Sequence, residues 1–104
     1  MERLPSIWQQ MFRTPHRLGW INAGGIGTRY LEAGPADAPV VLMLHGTAGS
    51  LETFCANYAA YAEHFRVIGF DLLGCGFTDK PEYDYLIKDY VAHAIQVMDA
   101  LDVK

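Results

Sequence analysis

The sequence predicts an α/β fold in which an N-terminal antiparallel hairpin is followed by parallel strands with crossover helices. Residues 40–44 and 65–70 are short apolar runs, too short for helices and suited to buried strands. Residues 40–44 are unbroken rather than alternating, which is typical of a parallel strand covered on both faces. A helical pattern follows each run, and this order predicts a parallel sheet with right-handed crossovers.

Length and composition indicate one globular domain at most. The 104 residues are 51% hydrophobic and 19% charged, proportions typical of a folded protein rather than a disordered one. The net charge of −4 leaves no basic stripe, so we expect neither nucleic acid nor an anionic membrane as a partner. No apolar stretch is long enough to cross a bilayer, and residues 1–6 do not resemble a secretory signal, which predicts a cytoplasmic protein.

The two cysteines give no indication of a disulfide framework or a metal site. Cys55 and Cys75 are too few and too far apart for either, and we expect free thiols in a reducing compartment. The stretch Gly74-Cys75-Gly76 is similar to the start of a dinucleotide-binding loop. The third glycine of that motif is Asp79 here, so the motif fails and we expect no cofactor.

The N-terminal third divides into an arm and a hairpin. Residues 1–15 form the arm, either packed on the body or disordered, with three apolar residues at helical spacing: Trp8, Met11 and Phe12. Residues 16–33 predict a hairpin because two short strands flank the turn signal Ala23-Gly24-Gly25. In its first strand, one face is expected to carry Leu18, Trp20 and Asn22.

Two helices are predicted after the hairpin. The first covers residues 51–62, with Ser50 placed to cap its start and Phe54, Tyr58 and Tyr61 on one face. The second begins near residue 85, and its buried stripe is predicted to be Ile87, Val91, Ala94, Met98 and Leu101. His93 lies on the other side of this helix, where an exposed pair with Asp89 is expected.

Two motifs in this order resemble the α/β-hydrolase superfamily. The first is His45-Gly46 after an apolar strand, and the second is the stretch at residues 71–81, Asp-Leu-Leu-Gly-Cys-Gly-Phe-Thr-Asp-Lys-Pro, after the next strand. The resemblance implies that residues 16–104 are the N-terminal part of an α/β-hydrolase core domain. Residues 28–34 and 78–81 look most like meta-cleavage product hydrolases, which hydrolyse a carbon–carbon bond in ring-cleavage products of aromatic degradation.

The resemblance also implies a nucleophile elbow, Gly-x-Ser-x-Gly, beyond the last helix, with the acid and the histidine later still. The sequence contains no such motif before Lys104. We therefore expect the N-terminal fragment of a serine-type hydrolase that cleaves an ester or a diketone acid, inactive by itself. The alternative is a non-catalytic small α/β binding module or an inactive truncated product. In the family's sheet order one edge of strand 40–44 would be unpaired, which predicts self-association.

The resemblance assigns one residue to chemistry. The backbone N–H of Thr47 falls where the family places an oxyanion-hole donor, and main-chain donors stabilise developing negative charge without rearranging. Gly46, Ala48 and Gly49 complete the expected substrate-binding loop, and the two glycines let the backbone approach a substrate closely.

Other residues have a possible chemical role, but we expect a structural role or none for each of them. His45 is expected to hold the loop by local hydrogen bonds rather than act as a base. Asp71, with Gly74 and Gly76, is expected to organise the turn after the second parallel strand rather than act as an acid or ligand. Ser50 as a nucleophile lacks the required sequence context, and we expect a helix cap there instead. Cys75 as a nucleophile has no support either, and we expect a free thiol.

Overall fold

Eight regular elements occur along residues 6–103, the part of the chain that this computed structural model describes. In chain order they are α1 (Ile7–Met11), β1 (His16–Ala23), β2 (Ile26–Ala33), β3 (Val40–Met43), a 3₁₀ helix (Leu51–Phe54), α2 (Tyr58–Ala62), β4 (Arg66–Phe70) and α3 (Ile87–Ala100). None of these helices combines the length and apolar character that crossing a bilayer requires.

The strands form one mixed sheet in the order β1-β2-β4-β3. β1 and β2 are an antiparallel hairpin joined by the two-residue turn Gly24-Gly25, in the register His16 opposite Ala33. β4 is antiparallel to β2 and parallel to β3, with Val41 opposite Val67. The predicted fold class, a hairpin followed by parallel strands with a crossover, is confirmed.

The sheet separates two hydrophobic cores, because helices cover both of its faces. On one face α1, the 3₁₀ helix and α2 pack against the strands, and the buried residues are Met11, Leu31, Ala33, Met43, Leu51, Tyr58, Ala62 and Val67. On the other face α3 packs against the strands, and the buried residues are Ala23, Tyr30, Phe70 and Val97. β4 is therefore the strand that is covered on both faces.

The N-terminal arm is packed on the body where the structure describes it. Ser6 caps α1, since its hydroxyl accepts the N–H of Gln9 at 3.1 Å. Met11 is fully buried in the first core, while Trp8 and Phe12 are exposed. Residues 1–5 of the predicted arm, and Lys104, lie outside the described residues.

The prediction of one helix over residues 51–62 is wrong. A 3₁₀ helix ends at Phe54, and α2 begins only at Tyr58. The carbonyl of Leu51, which an α-helix would pair with the N–H four residues later, instead accepts the hydroxyl of Tyr58 at 2.7 Å. The Cys55 N–H donates to the carbonyl of Glu52, three residues earlier, which is the hydrogen-bond pattern of a 3₁₀ helix.

The predicted buried stripe of α3 is wrong for its first two residues, whereas its last three are partly buried as expected. Ile87 is 82% exposed and Val91 is 52% exposed, although both were expected in the buried stripe. His93 and Val97 are buried instead. The carboxylate of Asp89 accepts the N–H of Leu86 at the start of the helix, so the expected exposed pair with His93 does not form.

β3 departs from the expectation of a strand covered on both faces. Among the described residues it pairs only with β4, so it lies at the edge of the sheet. Val40 is exposed, and Leu44, just beyond the strand, is 51% exposed. An edge that presents unpaired backbone groups beside apolar side chains is a site for pairing with another chain.

We predict that the 104-residue chain self-associates through this edge. A lysine at an exposed edge position opposes strand pairing, so Val40→Lys is expected to shift the chain to a monomer in sedimentation velocity. Ile87→Lys, which adds the same charge at an exposed apolar residue of α3, is the control and is expected to leave the mass distribution unchanged. A wild-type chain that is monomeric at every concentration would contradict this prediction.

Candidate functional site

A cleft of about 320 Å³, here called the loop cleft, opens at the carboxyl end of β3. In open α/β sheets, ligands bind outside the carboxyl ends of parallel strands, where the connecting loops meet. The structure brings four of the predicted site residues to this cleft, together with three others: His45, Gly46, Thr47, Ala48, Leu72, Cys75 and Tyr90. Gly49, Asp71, Gly74 and Gly76 lie outside its lining.

The loop after β3 makes a tight turn at its centre. The N–H of Gly49 donates to the carbonyl of Gly46 at 3.0 Å. Ala48, the third residue of this turn, has φ +59°, as a type II turn requires at that position. A non-glycine residue in this conformation costs about 1–3 kcal/mol and persists only where the surroundings impose it. Gly46, by contrast, faces open space and has no steric need for glycine.

His45 is fixed as a neutral imidazole by its two hydrogen bonds. The N–H of Leu72 donates to Nε2 at 2.9 Å, so this nitrogen carries no proton. The proton therefore resides on Nδ1, which donates to the carbonyl of Gly46 at 2.7 Å. Both ring nitrogens are engaged within the protein, which leaves His45 in a position to orient the loop and not to act as a base.

The orientation of the Thr47 N–H follows from these contacts. The Gly46 carbonyl accepts two hydrogen bonds, from His45 and from Gly49. The described residues contain no cis peptide, and in a trans peptide the C=O and the next N–H point in opposite directions. Fixing the Gly46 carbonyl thus fixes the Thr47 N–H, which points in the opposite direction within the same peptide plane. In residues 6–103 the N–H groups of Thr47 and Ala48 have no protein acceptor.

A cluster of three charged side chains, two buried and one partly buried, lies behind this loop. Arg29 of β2 donates to both carboxylate oxygens of Asp71, through Nε at 2.7 Å and Nη2 at 3.1 Å. The same Nη2 forms an ion pair with Glu52 of the 3₁₀ helix. Phe77 covers the guanidinium, with its ring centre 4.6 Å from Cζ. Asp71 is fully buried, so its charge has to be stabilised by protein partners.

Two backbone groups complete the environment of Asp71. Its oxygens accept the N–H of Leu51 at 2.8 Å and the N–H of Phe77 at 2.9 Å. Burial by itself would raise the pKa of Asp71, but the hydrogen bonds from Arg29 and from these two N–H groups outweigh it and lower the pKa. The ionised carboxylate of Asp71 thus connects β2, the start of the 3₁₀ helix and the turn at Phe77. None of these partners lines the loop cleft.

Gly74 and Gly76 shape the loop around this carboxylate. Gly76 has φ +52°, and a side chain there would overlap the Asp71 carboxyl group. Gly74 has φ +76° and faces the ring of Tyr85. The Thr78 hydroxyl donates to the Asp71 carbonyl at 2.8 Å, so this turn is bound to Asp71 through both main chain and side chain.

His93 is a buried structural residue that the sequence analysis placed at the surface. Its exposure is 2%. Nδ1 accepts the N–H of Leu73 at 3.1 Å, so Nε2 carries the proton and donates to the Thr28 hydroxyl at 2.9 Å. That hydroxyl in turn donates to the carbonyl of Ile26. Burial lowers the pKa of His93, since the charged form would lose its hydration.

Arg29 could have been identified from the sequence, whereas His93 could not. An arginine inside the strand pattern beside Tyr30 and Leu31 needs a buried acid, and Asp71 directly follows the other apolar strand. His93 is hydrogen-bonded to Thr28, which is 65 residues earlier in the sequence, and no local sequence pattern indicates that contact.

Ser50 lies at the predicted cap position without making the predicted cap contact. Its hydroxyl donates to the Glu52 carboxylate at 2.7 Å, and the Thr53 hydroxyl accepts the Ser50 N–H at 3.3 Å. Cys55 and Cys75 are free thiols. Within residues 6–103, no group of three or more His, Cys, Asp and Glu side chains could hold a metal ion.

Comparison with known proteins identifies the family. A sequence profile described as the alpha/beta hydrolase fold matches residues 39–104. A 2-hydroxy-6-oxo-6-(2'-aminophenyl)hexa-2,4-dienoic acid hydrolase from Metapseudomonas resinovorans is 39% identical over 85 residues, 80% of this chain and 29% of the relative. A haloalkane dehalogenase from Mesorhizobium japonicum is 39% identical over 75 residues, 72% of this chain and 24% of the relative.

The solved structures agree with the sequence relatives. A meta-cleavage product hydrolase from Pseudomonas fluorescens IP01 superposes with a TM-score of 0.73 at 36% identity, covering 81% of this chain and 32% of that one. The chain belongs to the α/β-hydrolase family, and the predicted resemblance to meta-cleavage product hydrolases is confirmed. It spans about three tenths of the length of the hydrolase relative above.

The charged cluster generates a stability prediction. Arg29→Met leaves the buried carboxylate of Asp71 and the partly buried carboxylate of Glu52 without their cation, and we expect a loss of about 3–5 kcal/mol in the free energy of unfolding. Arg66→Met breaks the partly exposed ion pair with Glu32 and is the matched control, with an expected loss of about 1–2 kcal/mol. Urea unfolding measures both. Equal losses in the two variants would show that the cluster has no special role.

The environment of His93 generates a pH prediction. The unfolded state binds a proton near the ordinary pKa of 6.5, whereas the folded state does so only at lower pH. Stability from this residue is therefore complete above pH 6.5 and is lost as the pH falls below that value. His93→Gln is expected to flatten the pH dependence of the urea midpoint in this range. The exposed His64→Gln is the control, and an unchanged slope in His93→Gln would refute the prediction.

Proposed function

We propose that this chain supplies the oxyanion-hole loop of a serine-type α/β-hydrolase, with the Thr47 main-chain N–H as the donor. The observation that carries the proposal is the geometry of the Gly46–Thr47 peptide. Its carbonyl is held by two donors and its N–H has no acceptor among residues 6–103. Family membership supports the assignment, because the same loop of α/β-hydrolases contributes an oxyanion donor.

In the proposed reaction a nucleophile adds to a carbonyl, or activated water does so, and negative charge develops on the carbonyl oxygen. A fixed N–H next to that oxygen stabilises the charge without a cost of rearrangement. The peptide hydrogen bonds described above supply this rigidity. The serine, histidine and acid of the triad are assigned to no residue of this chain, which by itself is proposed to be inactive.

The lining of the loop cleft constrains the substrate. Its described side chains carry no fixed charge, since His45 is neutral and the lining contains no Asp, Glu, Lys or Arg. The portion of substrate that binds here is therefore proposed to be an uncharged carbonyl with an apolar neighbour. Both an ester and the ketone of a meta-cleavage product meet this description, and the dienoic acid hydrolase relative favours the ketone. Any substrate carboxylate would be bound by residues outside this cleft.

We also propose a cytoplasmic location, which the two free thiols support. The alternative function is a non-catalytic binding module, in which the same N–H groups bind a ligand without turnover. It is favoured by the hydrogen bonding of His45, which leaves no free base at the loop cleft.

Thr47→Pro tests the oxyanion assignment. Thr47 is the second residue of a type II turn, where proline is well accommodated, so the substitution removes the N–H and keeps the turn. In a protein that carries this chain together with a nucleophile elbow, we expect kcat to fall about 10²- to 10³-fold with little change in KM. Thr47→Ala keeps the N–H and is expected to retain activity.

Two results would overturn the proposal. A folded Thr47→Pro enzyme with near-normal kcat on a p-nitrophenyl ester or a 2-hydroxy-6-oxodienoate would remove Thr47 from the mechanism. Wild-type protein that binds such a compound through this loop without hydrolysing it would establish the binding module instead.

A further inference from the structure

One residue of α3, Tyr90, lines the loop cleft. It also borders a groove of about 470 Å³ between β3 and α3, whose lining is apolar apart from His45 and Tyr90 itself. The side chain is partly buried and belongs to neither hydrophobic core. Tyr90 therefore lies at the boundary between an apolar groove and a cleft that exposes main-chain donors, and packing alone does not explain its hydroxyl.

Aromatic contacts hold the ring of Tyr90 in place. It meets the ring of Tyr85 edge to face, a favoured arrangement, with centroids 6.1 Å apart and an interplanar angle of 82°. Tyr85 is held in turn, because its hydroxyl donates to the carbonyl of Pro81. A side chain at Gly74 would overlap the Tyr85 ring, so this ring lies against the main chain there. The phenol of Tyr90 is thus positioned before any ligand binds.

The hydroxyl of Tyr90 forms no hydrogen bond within residues 6–103. Nor is its oxygen buried, since the buried side-chain atom without a hydrogen bond in this range belongs to Glu52, where Arg29 supplies an ion pair. The hydroxyl is therefore a positioned donor that a ligand can reach.

The direction of the hydroxyl follows from the position of Tyr90 near the start of α3. The groove is lined by residues further along the helix, from Val91 to Met98. Helical side chains lean toward the helix N-terminus, so the ring extends away from the groove and toward the loops. The pKa of Tyr85 agrees with this direction: partial burial raises it, and the nearby Tyr90 and Cys75 groups raise it further. Cys75 lines the loop cleft and not the groove.

We propose that the Tyr90 hydroxyl donates a hydrogen bond to the same substrate oxygen as the Thr47 N–H. This inference rests on the proposed function and adds a side-chain donor to it. Thr47 belongs to the loop after β3 and Tyr90 to α3, so the two donors come from different elements that line one cleft. A carbonyl oxygen has two lone pairs and accepts both. The bonds strengthen as negative charge develops, because an ionised acceptor makes a hydrogen bond about twice as strong.

Two other roles fit Tyr90 less well. A structural hydroxyl would bind another part of the chain, as the hydroxyls of Tyr58 and Tyr85 do. A proton-transfer role would need an acid or base in hydrogen-bond contact with the oxygen, and no described residue makes that contact. An uncharged donor to a ligand in the loop cleft agrees with both observations.

Tyr90→Phe tests the proposal, because it removes the hydroxyl and keeps the ring. In the protein that carries this chain together with a nucleophile elbow, we expect kcat on p-nitrophenyl acetate to fall about 10- to 100-fold. Little change in KM is expected, since the lost bond is strongest in the transition state. Tyr61→Phe is the matched control: it removes a phenol hydroxyl from an exposed residue of α2, on the other face of the sheet from α3, and is expected to keep wild-type kcat.

Replacing the carbonyl oxygen of the substrate by sulfur distinguishes a donor from a structural role. A thiocarbonyl sulfur accepts hydrogen bonds weakly, so the thionoacetate gains little from the hydroxyl. Tyr90→Phe is therefore expected to slow the oxygen ester and leave the thionoester nearly unchanged, which narrows the ratio of the two rates about 10- to 100-fold. A variant whose fold is damaged would lose both rates together, and circular dichroism checks the fold.

Two results would overturn the proposal. A folded Tyr90→Phe enzyme with wild-type kcat on the oxygen ester would show that the hydroxyl touches no reacting atom. Equal losses on the oxygen and sulfur substrates would give Tyr90 a structural role instead. Either result leaves Thr47 in place if Thr47→Pro is crippled, whereas full activity in Thr47→Pro would remove the proposed function and this inference with it.

Discussion

The buried carboxylate of Asp71 is the contact on which the arrangement of the site depends. A charge removed from water must be matched by donors, and Asp71 takes them from three segments: Arg29 of β2, the N–H of Leu51 and the N–H of Phe77. These segments are distant in sequence and would otherwise be joined only by apolar packing, which is less directional. The requirement to satisfy one carboxylate therefore fixes their relative positions.

Asp71 and the residue after it, Leu72, also fix the loop that carries Thr47. Asp71 binds the N–H of Leu51 at one end of this loop, and Leu72 donates to His45 at the other end. Two consecutive residues after β4 thus anchor both ends of a segment that follows β3. Between the anchors, the Gly46 carbonyl is held and the Thr47 N–H faces away from it. The strain at Ala48 is sustained by the same contacts.

Local patterns predicted much of the fold, and the errors fall where side chains make hydrogen bonds that no local pattern indicates. The apolar runs located β3 and β4, and Gly24-Gly25 located the hairpin, because strands and turns depend on neighbouring residues. Within residues 51–62, where one helix was predicted, the Leu51 carbonyl accepts the Tyr58 hydroxyl. In α3, His93 is buried and hydrogen-bonded to Thr28 where an exposed residue was predicted. The family resemblance indicated the loop at Thr47. The charged cluster around Arg29 and the protonation of His45 on Nδ1 became visible only in the structure.

The protonation of His45 is central to the proposed role of Thr47, because the His45 ring accepts the Leu72 N–H and donates to the Gly46 carbonyl. Two-bond ¹H–¹⁵N NMR correlations distinguish the two neutral forms of histidine in the intact chain at neutral pH. The structure predicts a proton on Nδ1 and a bare Nε2 that accepts a hydrogen bond. A proton on Nε2, or a rapidly exchanging mixture, would remove the His45 donor from the Gly46 carbonyl, leave only the bond from Gly49, and contradict the role given to His45 in fixing the Thr47 N–H.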